Sequence, residues 1–225
     1  MSMKRIVIAL MSLLLTVPMM AQYGRPYGYN SHFGRPVNQS RYHAFTDIYY
    51  GLRIGGAFST VSSDDPYLDG GSVRSGLNVG VVAGFQVAPR TPIYFETGLS
   101  YVEKGGEGHD RNSKFTYDLD YLEVPVVLKY DCEVAPNLNV QPYIGGFFAA
   151  GVGGKIKDFG DRQAYSSFDD HAFKRFDAGI KVGCGLQFDH LYAELGYDFG
   201  LANICHDSFD TSRTGSFLAT VGVNF

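Results

Sequence analysis

Paired histidine and aspartate residues recur in the polar segments of this chain, and such pairs can activate a water molecule for hydrolysis. They occur at His109–Asp110, Asp169–His171 and His206–Asp207. Polar connections naturally collect Asp and His, and no Gly-x-Ser-x-Gly nucleophile motif accompanies these pairs. We therefore interpret them as solvated loop residues, and a hydrolase site at the rim of the molecule is the less favoured hypothesis.

Metal and thiol chemistry has equally little support in the sequence. Two groups of aspartates offer the oxygen atoms that calcium prefers, without the spacing of an EF-hand: Asp64, Asp65 and Asp69, and Asp158, Asp161, Asp169 and Asp170. Cys132, Cys184 and Cys205 lack the CxxC spacing of a zinc site. We predict free thiols, no metal, no cofactor and no catalytic residue.

A different set of charged residues lies in segments where apolar and polar residues alternate, which is the pattern of half-buried strands. Eight such segments follow the first 45 residues, at about 48–59, 77–87, 93–101, 122–130, 138–153, 176–188, 191–200 and 215–225. The fifth has an ambiguous phase because Phe147 and Phe148 are adjacent. The last alternates with one exception, Leu218, and ends on Phe225.

The connections between these segments alternate in length. Residues 61–76, 105–115, 154–172 and 202–214 form long connections, whereas 88–92, 131–137 and 189–190 form short ones. Membrane barrels combine short periplasmic turns with longer outer loops, and their strands are about ten residues long. The sequence therefore predicts an all-β fold, an eight-stranded antiparallel transmembrane β-barrel.

The polar phase of the strands would face the interior of this barrel. An eight-stranded barrel is just wide enough for side chains to fill, so acids and bases inside it must pair or stay solvated. We expect a lumen charge network that plugs the barrel, with inward glycines making room for it; a narrow ion path is the alternative. Its predicted members are Arg53, Glu96, Glu123, Lys129, Asp177, Lys181, Glu194 and Asp198.

The N-terminal region carries the features of export. Residues 1–21 resemble a signal peptide, with Lys4 and Arg5 before an apolar run too short for a membrane anchor. Residues 22–45 predict a flexible periplasmic extension, and residues 46–225 the barrel. The whole chain has a formal charge of −4, and loss of the two cations with the signal gives −6, which argues against nucleic acid as a partner.

Three stretches resemble the PorT-like outer-membrane β-barrel family of Gram-negative bacteria. They are YLEVPVVLKY (121–130), DAGIKVGCGL (177–186) and ELGYDFGLANI (194–204), and the terminal GVNF also fits. The resemblance implies an integral outer-membrane protein without established catalytic residues; some relatives are linked to secretion or gliding machinery. The expected partners are outer-membrane lipid, the barrel-assembly machinery, with Phe217 and Phe225 as its signal, and an envelope or secretion protein.

Overall fold

Alternating side chains along most of the described chain produce a structure made of strands. The computed structural model describes residues 47–63, 73–88, 91–110, 113–158, 165–166, 174–204 and 212–225. The strands in these ranges are β1 (Ile48–Ser63), β2 (Arg74–Gln86), β3 (Ile93–Asp110), β4 (Ser113–Tyr130), β5 (Cys132–Ala135), β6 (Leu138–Gly153), β7 (Lys155–Asp158), β8 (Tyr165–Ser166), β9 (Phe176–Phe188), β10 (Leu191–Gly200) and β11 (Ser212–Asn224). None of the described segments forms a helix long and apolar enough to cross a membrane.

Eight of these strands close into an antiparallel barrel in the order β1-β2-β3-β4-β6-β9-β10-β11, with β11 paired to β1. The closing seam reaches the last residue, because Phe225 N donates to Tyr50 O at 2.8 Å and Tyr50 N donates to Phe225 O at 3.1 Å. All eight predicted strands are present, and the predicted barrel is confirmed. We call the end with the start of β1, Phe225 and the short turns the turn end, and the opposite end the loop end.

The closed barrel resolves two irregularities of the alternating pattern. On β6, Phe147 points inward and is buried, whereas Phe148 points outward and is exposed. On β11, Leu218 lies on the inner face, where it forms a buried apolar cluster with Ala57 and Val102. An apolar residue on the polar face is therefore part of the packing inside the barrel.

The predicted loop at 105–115 is wrong for most of its length. Strand β3 continues to Asp110 and β4 begins at Ser113, and the two pair as far as Asp110 and Ser113. Beyond the bulge at Asp120/Tyr121, where β6 leaves β4, β7 pairs with Phe115–Tyr117. Backbone hydrogen bonds maintain these strands where the alternating pattern has stopped, so the pattern underestimates their length.

The turn end is closed by short connections. The predicted two-residue turn Asp189–His190 is present, and Asp189 has a φ of 50°, which suits the tight turns of hairpins. The predicted turn at 131–137 instead contains the short strand β5, which pairs with β6. Asn137 follows it with a φ of 66°.

The outer surface of the barrel carries a belt of exposed apolar side chains. It includes Ile54, Leu99, Val124, Ile144, Ile180, Leu195 and Val221, with Tyr50 and Tyr130 at the turn end. Aromatic residues favour the boundary between lipid and water. Cys184 is also exposed on this surface, and both it and Cys132 are free; Cys205 lies outside the described residues.

Candidate functional site

The charged residues of the polar phase lie inside the barrel, where they form two clusters. We define the turn-end cluster as Arg53, Glu96, Lys129 and Glu194, and the loop-end cluster as Lys104, Glu123, Asp177, Lys181 and Asp198. No side chain in the ion pairs within these clusters is more than 15% exposed. The structure thus brings all eight residues of the predicted lumen network together and adds Lys104.

Lys129 is the centre of the turn-end cluster. Its Nζ lies 2.8 Å from Glu96 Oε1 and 4.0 Å from Glu194 Oε2. It also donates a 2.7 Å hydrogen bond to Tyr192 Oη, and Tyr192 Oη donates to Glu194 Oε2 at 3.0 Å. One buried ammonium group therefore joins carboxylates from two strands, β3 and β10.

Arg53 supplies the second cation of the turn-end cluster. Its guanidinium lies 3.8 Å from the centre of the Tyr192 ring, an arrangement that favours cation–π attraction. Its Nη2 is 3.8 Å from Glu96 Oε2, which also accepts a 2.5 Å hydrogen bond from Tyr49 Oη. With Arg53 and Lys129 set against Glu96 and Glu194, this cluster is electrically balanced.

Glycines on neighbouring strands provide the space for the tyrosine rings. A Cβ atom on Gly185 would overlap Tyr192 Oη, and one on Gly84 would overlap the Tyr49 ring. Both positions are too close for any contact between non-bonded atoms. The inward glycines of β2 and β9 are thus required by the tyrosines that hold the cluster together.

The loop-end cluster is built around two lysines. Lys181 Nζ lies 2.6 Å from Asp198 Oδ1 and 3.0 Å from Glu123 Oε1. Lys104 Nζ lies 3.0 Å from Glu123 Oε2, and 3.8 Å and 3.9 Å from single oxygens of Asp198 and Asp177. The side chain of Lys104 is completely buried, so its charge depends on these carboxylates for compensation.

Lys104 lies in the lumen, beyond the predicted end of the third strand. The third strand is predicted to end at Tyr101, but Glu96, Gly98, Ser100, Val102 and Lys104 continue one phase. Extending the period of two beyond Tyr101 would have placed Lys104 inside the barrel. The Cα partner of Lys104 on β4 is Leu119, and the Lys104 side chain reaches along the lumen to place Nζ 3.0 Å from Glu123 Oε2.

An apolar cluster lies at the loop end of the lumen. Val61, Tyr117, Leu119, Tyr121, Phe147, Ala149 and Ile204 form one buried group. Lys104 Nζ lies 4.3 Å from the centre of the Phe147 ring, so this group is in contact with the ions. Side chains of both kinds therefore fill the interior at this level.

The structure describes only part of the segments that carry the predicted loop chemistry. His109 and Asp110 belong to the β3–β4 hairpin, and their backbones pair with Lys114 and Ser113. Asp169–His171 and His206–Asp207 lie outside the described residues. Over the ranges that the structure covers, no group of three or more His, Cys, Asp or Glu side chains is arranged to hold a metal ion.

Phe217 and Phe225, the predicted assembly signal, both lie on the lipid-facing side of β11 and its end, and they are 41% and 48% exposed. The Phe217 ring lies 6.3 Å from the Phe58 ring across the closing seam. Their position suits contact with lipid, and their reading by the assembly machinery stays a prediction.

The chain is similar to known outer-membrane proteins. The family model described as "Outer membrane protein beta-barrel domain" matches residues 29–206, while no curated protein matches the chain. Neisserial surface protein A is 15% identical, with a TM-score of 0.45 over 80% of this chain and 99% of that one. The attachment invasion locus protein Ail of Yersinia pestis is 16% identical (TM-score 0.42, 79% and 98% covered).

A major outer membrane protein from Thermus thermophilus is 15% identical, with a TM-score of 0.49 over 80% of this chain and 100% of that one. The family model covers most of the chain, and the described strands form the closed barrel that it implies. The chain belongs to the outer membrane protein beta-barrel domain family, and it is an integral protein of the outer membrane.

Proposed function

We propose that this protein is a non-enzymatic outer-membrane barrel with a sealed lumen, which serves as a structural and surface-interaction protein. The observation that carries the proposal is the loop-end cluster, in which five charged groups from four strands meet inside the barrel with almost no exposure. An eight-stranded barrel seldom leaves a continuous aqueous path. The ammonium groups of Lys104 and Lys181, which lie against the Phe147 ring, narrow the aqueous path through this barrel further.

The loop end is the side that such a protein would use for recognition. Strands β3 and β4 extend beyond the point where β6 leaves the barrel wall, and β7 and β8 add to them there. In outer-membrane barrels the longer connections face outward from the cell. A partner outside the cell, or a neighbouring envelope protein, would meet this extended sheet first.

Conductance of the purified protein in planar bilayers tests the sealed lumen. We expect no discrete channels from the native protein. Reproducible channels would contradict the plug and support the alternative of a narrow pore. A variant with both lysines of the loop-end cluster replaced by Ala is the matched comparison, because it removes the two ammonium groups that lie against the Phe147 ring.

Site-specific photo-crosslinking in intact cells tests the interaction role. A photoreactive residue at Lys155 or Arg213, both exposed near the loop end, should give discrete protein adducts. The matched control is Glu133, which is exposed at the turn end. Adducts formed only from Glu133 would contradict surface interaction and favour a periplasmic partner.

Within the family, we place the chain in the PorT-like group on the strength of its sequence stretches. These stretches contain charged residues of the lumen: Glu123 and Lys129 lie in residues 121–130, and Asp177 and Lys181 lie in residues 177–186. The third stretch supplies Glu194 and Asp198. Loss of secreted cargo after deletion of the gene would support a secretion role. Unchanged secretion would favour the surface-interaction role.

A further inference from the structure

The two lumen clusters differ in their balance of charge. The turn-end cluster sets two cations against two carboxylates, whereas the loop-end cluster sets Lys104 and Lys181 against Glu123, Asp177 and Asp198. With all five groups ionised, the loop-end cluster would hold one uncompensated negative charge inside the barrel. A buried charge without a partner is strongly unfavourable, so the cluster requires one more positive charge.

Asp177 is the carboxyl with the least compensation. Glu123 has ammonium groups at 3.0 Å on both of its oxygens, and Asp198 has them at 2.6 Å and 3.8 Å. Among the described residues, Asp177 has a single ammonium contact, at 3.9 Å from Lys104. Since attraction falls with distance, Asp177 is the residue on which the excess charge would be most costly.

The hydrogen bonding of Asp177 also favours a neutral carboxyl group at this position. Its Oδ2 accepts a 2.8 Å hydrogen bond from Thr214 Oγ1 on β11. Its Oδ1 is buried and lies outside normal hydrogen-bond geometry to every described donor, although the backbone N–H of Ala178 also interacts with this carboxyl. An anionic oxygen left in that position is far less favourable than a neutral hydroxyl.

Among the described residues, the ion pair with Lys104 is the one that Asp177 makes, and Arg175, two positions earlier, is exposed and donates to Gly151 O. Besides Lys104, the charged group that faces Asp177 is Glu123 on β4, and Asp198 on β10 shares Lys104 with it. The paired residue on β6 is Ala149, and β11 contributes the Thr214 hydroxyl.

We propose that Asp177 binds one proton in the folded barrel at neutral pH, which makes the loop-end cluster electrically neutral. A hydronium ion of the solvent supplies the proton: its O–H bond breaks, water is released, and the carboxyl oxygen of Asp177 gains the O–H bond. Because the unfolded chain would release this proton, folding consumes one proton at neutral pH. The equilibrium constant for unfolding should therefore rise about tenfold for each pH unit around pH 7 from this group.

Infrared spectroscopy of the folded protein in lipid vesicles tests the proposal directly. We expect a C=O stretching band of a protonated carboxyl group at neutral pH, and we expect it to shift when aspartate is labelled with ¹³C at its side-chain carboxyl carbon. The band should be absent from Asp177→Asn, retained in Asp189→Asn at an exposed site of the turn end, and shifted in frequency in Thr214→Val, which removes the hydroxyl that donates to Asp177. Absence of the band from the native protein, or an unshifted band in Thr214→Val, would overturn the proposal.

The pH dependence of unfolding provides a measurement that does not require every variant to fold. The native protein should lose stability with rising pH more steeply than Asp177→Asn, by about tenfold in the unfolding constant per pH unit. Glu133→Gln, an exposed site at the turn end, should keep the native slope. Equal slopes for the native protein and Asp177→Asn would contradict proton binding, as would stabilisation by Na⁺ relative to choline at constant ionic strength.

Discussion

Replacing Lys129 by Met tests whether the ion pairs inside this barrel hold it together. The substitution keeps most of the side-chain volume and removes the ammonium group from 2.8 Å of Glu96 and 4.0 Å of Glu194. At an effective dielectric constant of about 20, these attractions amount to roughly 6 and 4 kcal/mol. The desolvation of Lys129 offsets much of this sum.

What remains is the penalty of leaving buried carboxylates with too little positive charge, which for a broken buried pair is about 3–5 kcal/mol. We expect Lys129→Met to lower the free energy of unfolding by this amount. The hydrogen bond from Lys129 to Tyr192 is lost as well. Because the group is almost fully buried, high salt should not reproduce the effect.

A double-mutant cycle with Glu96→Gln separates charge from packing. Glu96→Gln alone should also be destabilising, since it leaves Lys129 and Arg53 with one carboxylate fewer. In the double variant the charges balance again, and its cost should be about 2 kcal/mol less than the sum of the two single costs. Glu133→Gln is the exposed control, with an expected change of less than about 0.5 kcal/mol.

The assay is urea unfolding in lipid vesicles, in which heat-modifiable migration on a denaturing gel measures the folded fraction at each urea concentration. Additive costs in the cycle would refute the reasoning, because they would mean that Lys129 and Glu96 do not interact energetically. A cost below about 1 kcal/mol for Lys129→Met would refute it too, since that is the range of an exposed ion pair.

Two further pairs of substitutions test the room inside the barrel and the lipid-facing surface. Gly185→Val places a side chain where Tyr192 Oη lies, so it should lower the free energy of unfolding by about 1–3 kcal/mol. Gly56→Ala should be close to neutral, because its added Cβ would come no nearer than 3.3 Å to the Phe58 ring. Equal effects of the two variants in urea unfolding would contradict the steric explanation. Leu195→Lys, at an exposed site in the middle of β10, should cost about 2–4 kcal/mol in a bilayer. Leu191→Lys at the turn end should cost about 0–1 kcal/mol, and an equal cost at both sites would show that the belt does not lie across the bilayer as described.

Much of the fold follows from alternation within single strands. The phase that places Arg53, Glu123 and Asp177 on the polar face of their strands is readable without a structure, because side chains in a strand point to opposite sides in turn. On β3 the same rule, when it stops at Tyr101, omits Lys104. The length of the β3–β4 hairpin cannot be read from alternation. At Phe115–Tyr117 the hairpin is extended by backbone hydrogen bonds between β4 and β7, which do not depend on the side-chain pattern.

The sequence by itself determined that eight amphipathic strands would close into an outer-membrane barrel with a charged interior, since local alternation and loop length require only neighbouring residues. Only the tertiary structure decided which charges meet. Lys104 and Asp198 are 94 positions apart in the sequence, yet Lys104 Nζ lies 3.8 Å from Asp198 Oδ2. The closure of the barrel and the register of its strands bring the two side chains to the same level of the lumen. Partner choice inside a barrel is set by that register, which no single strand encodes.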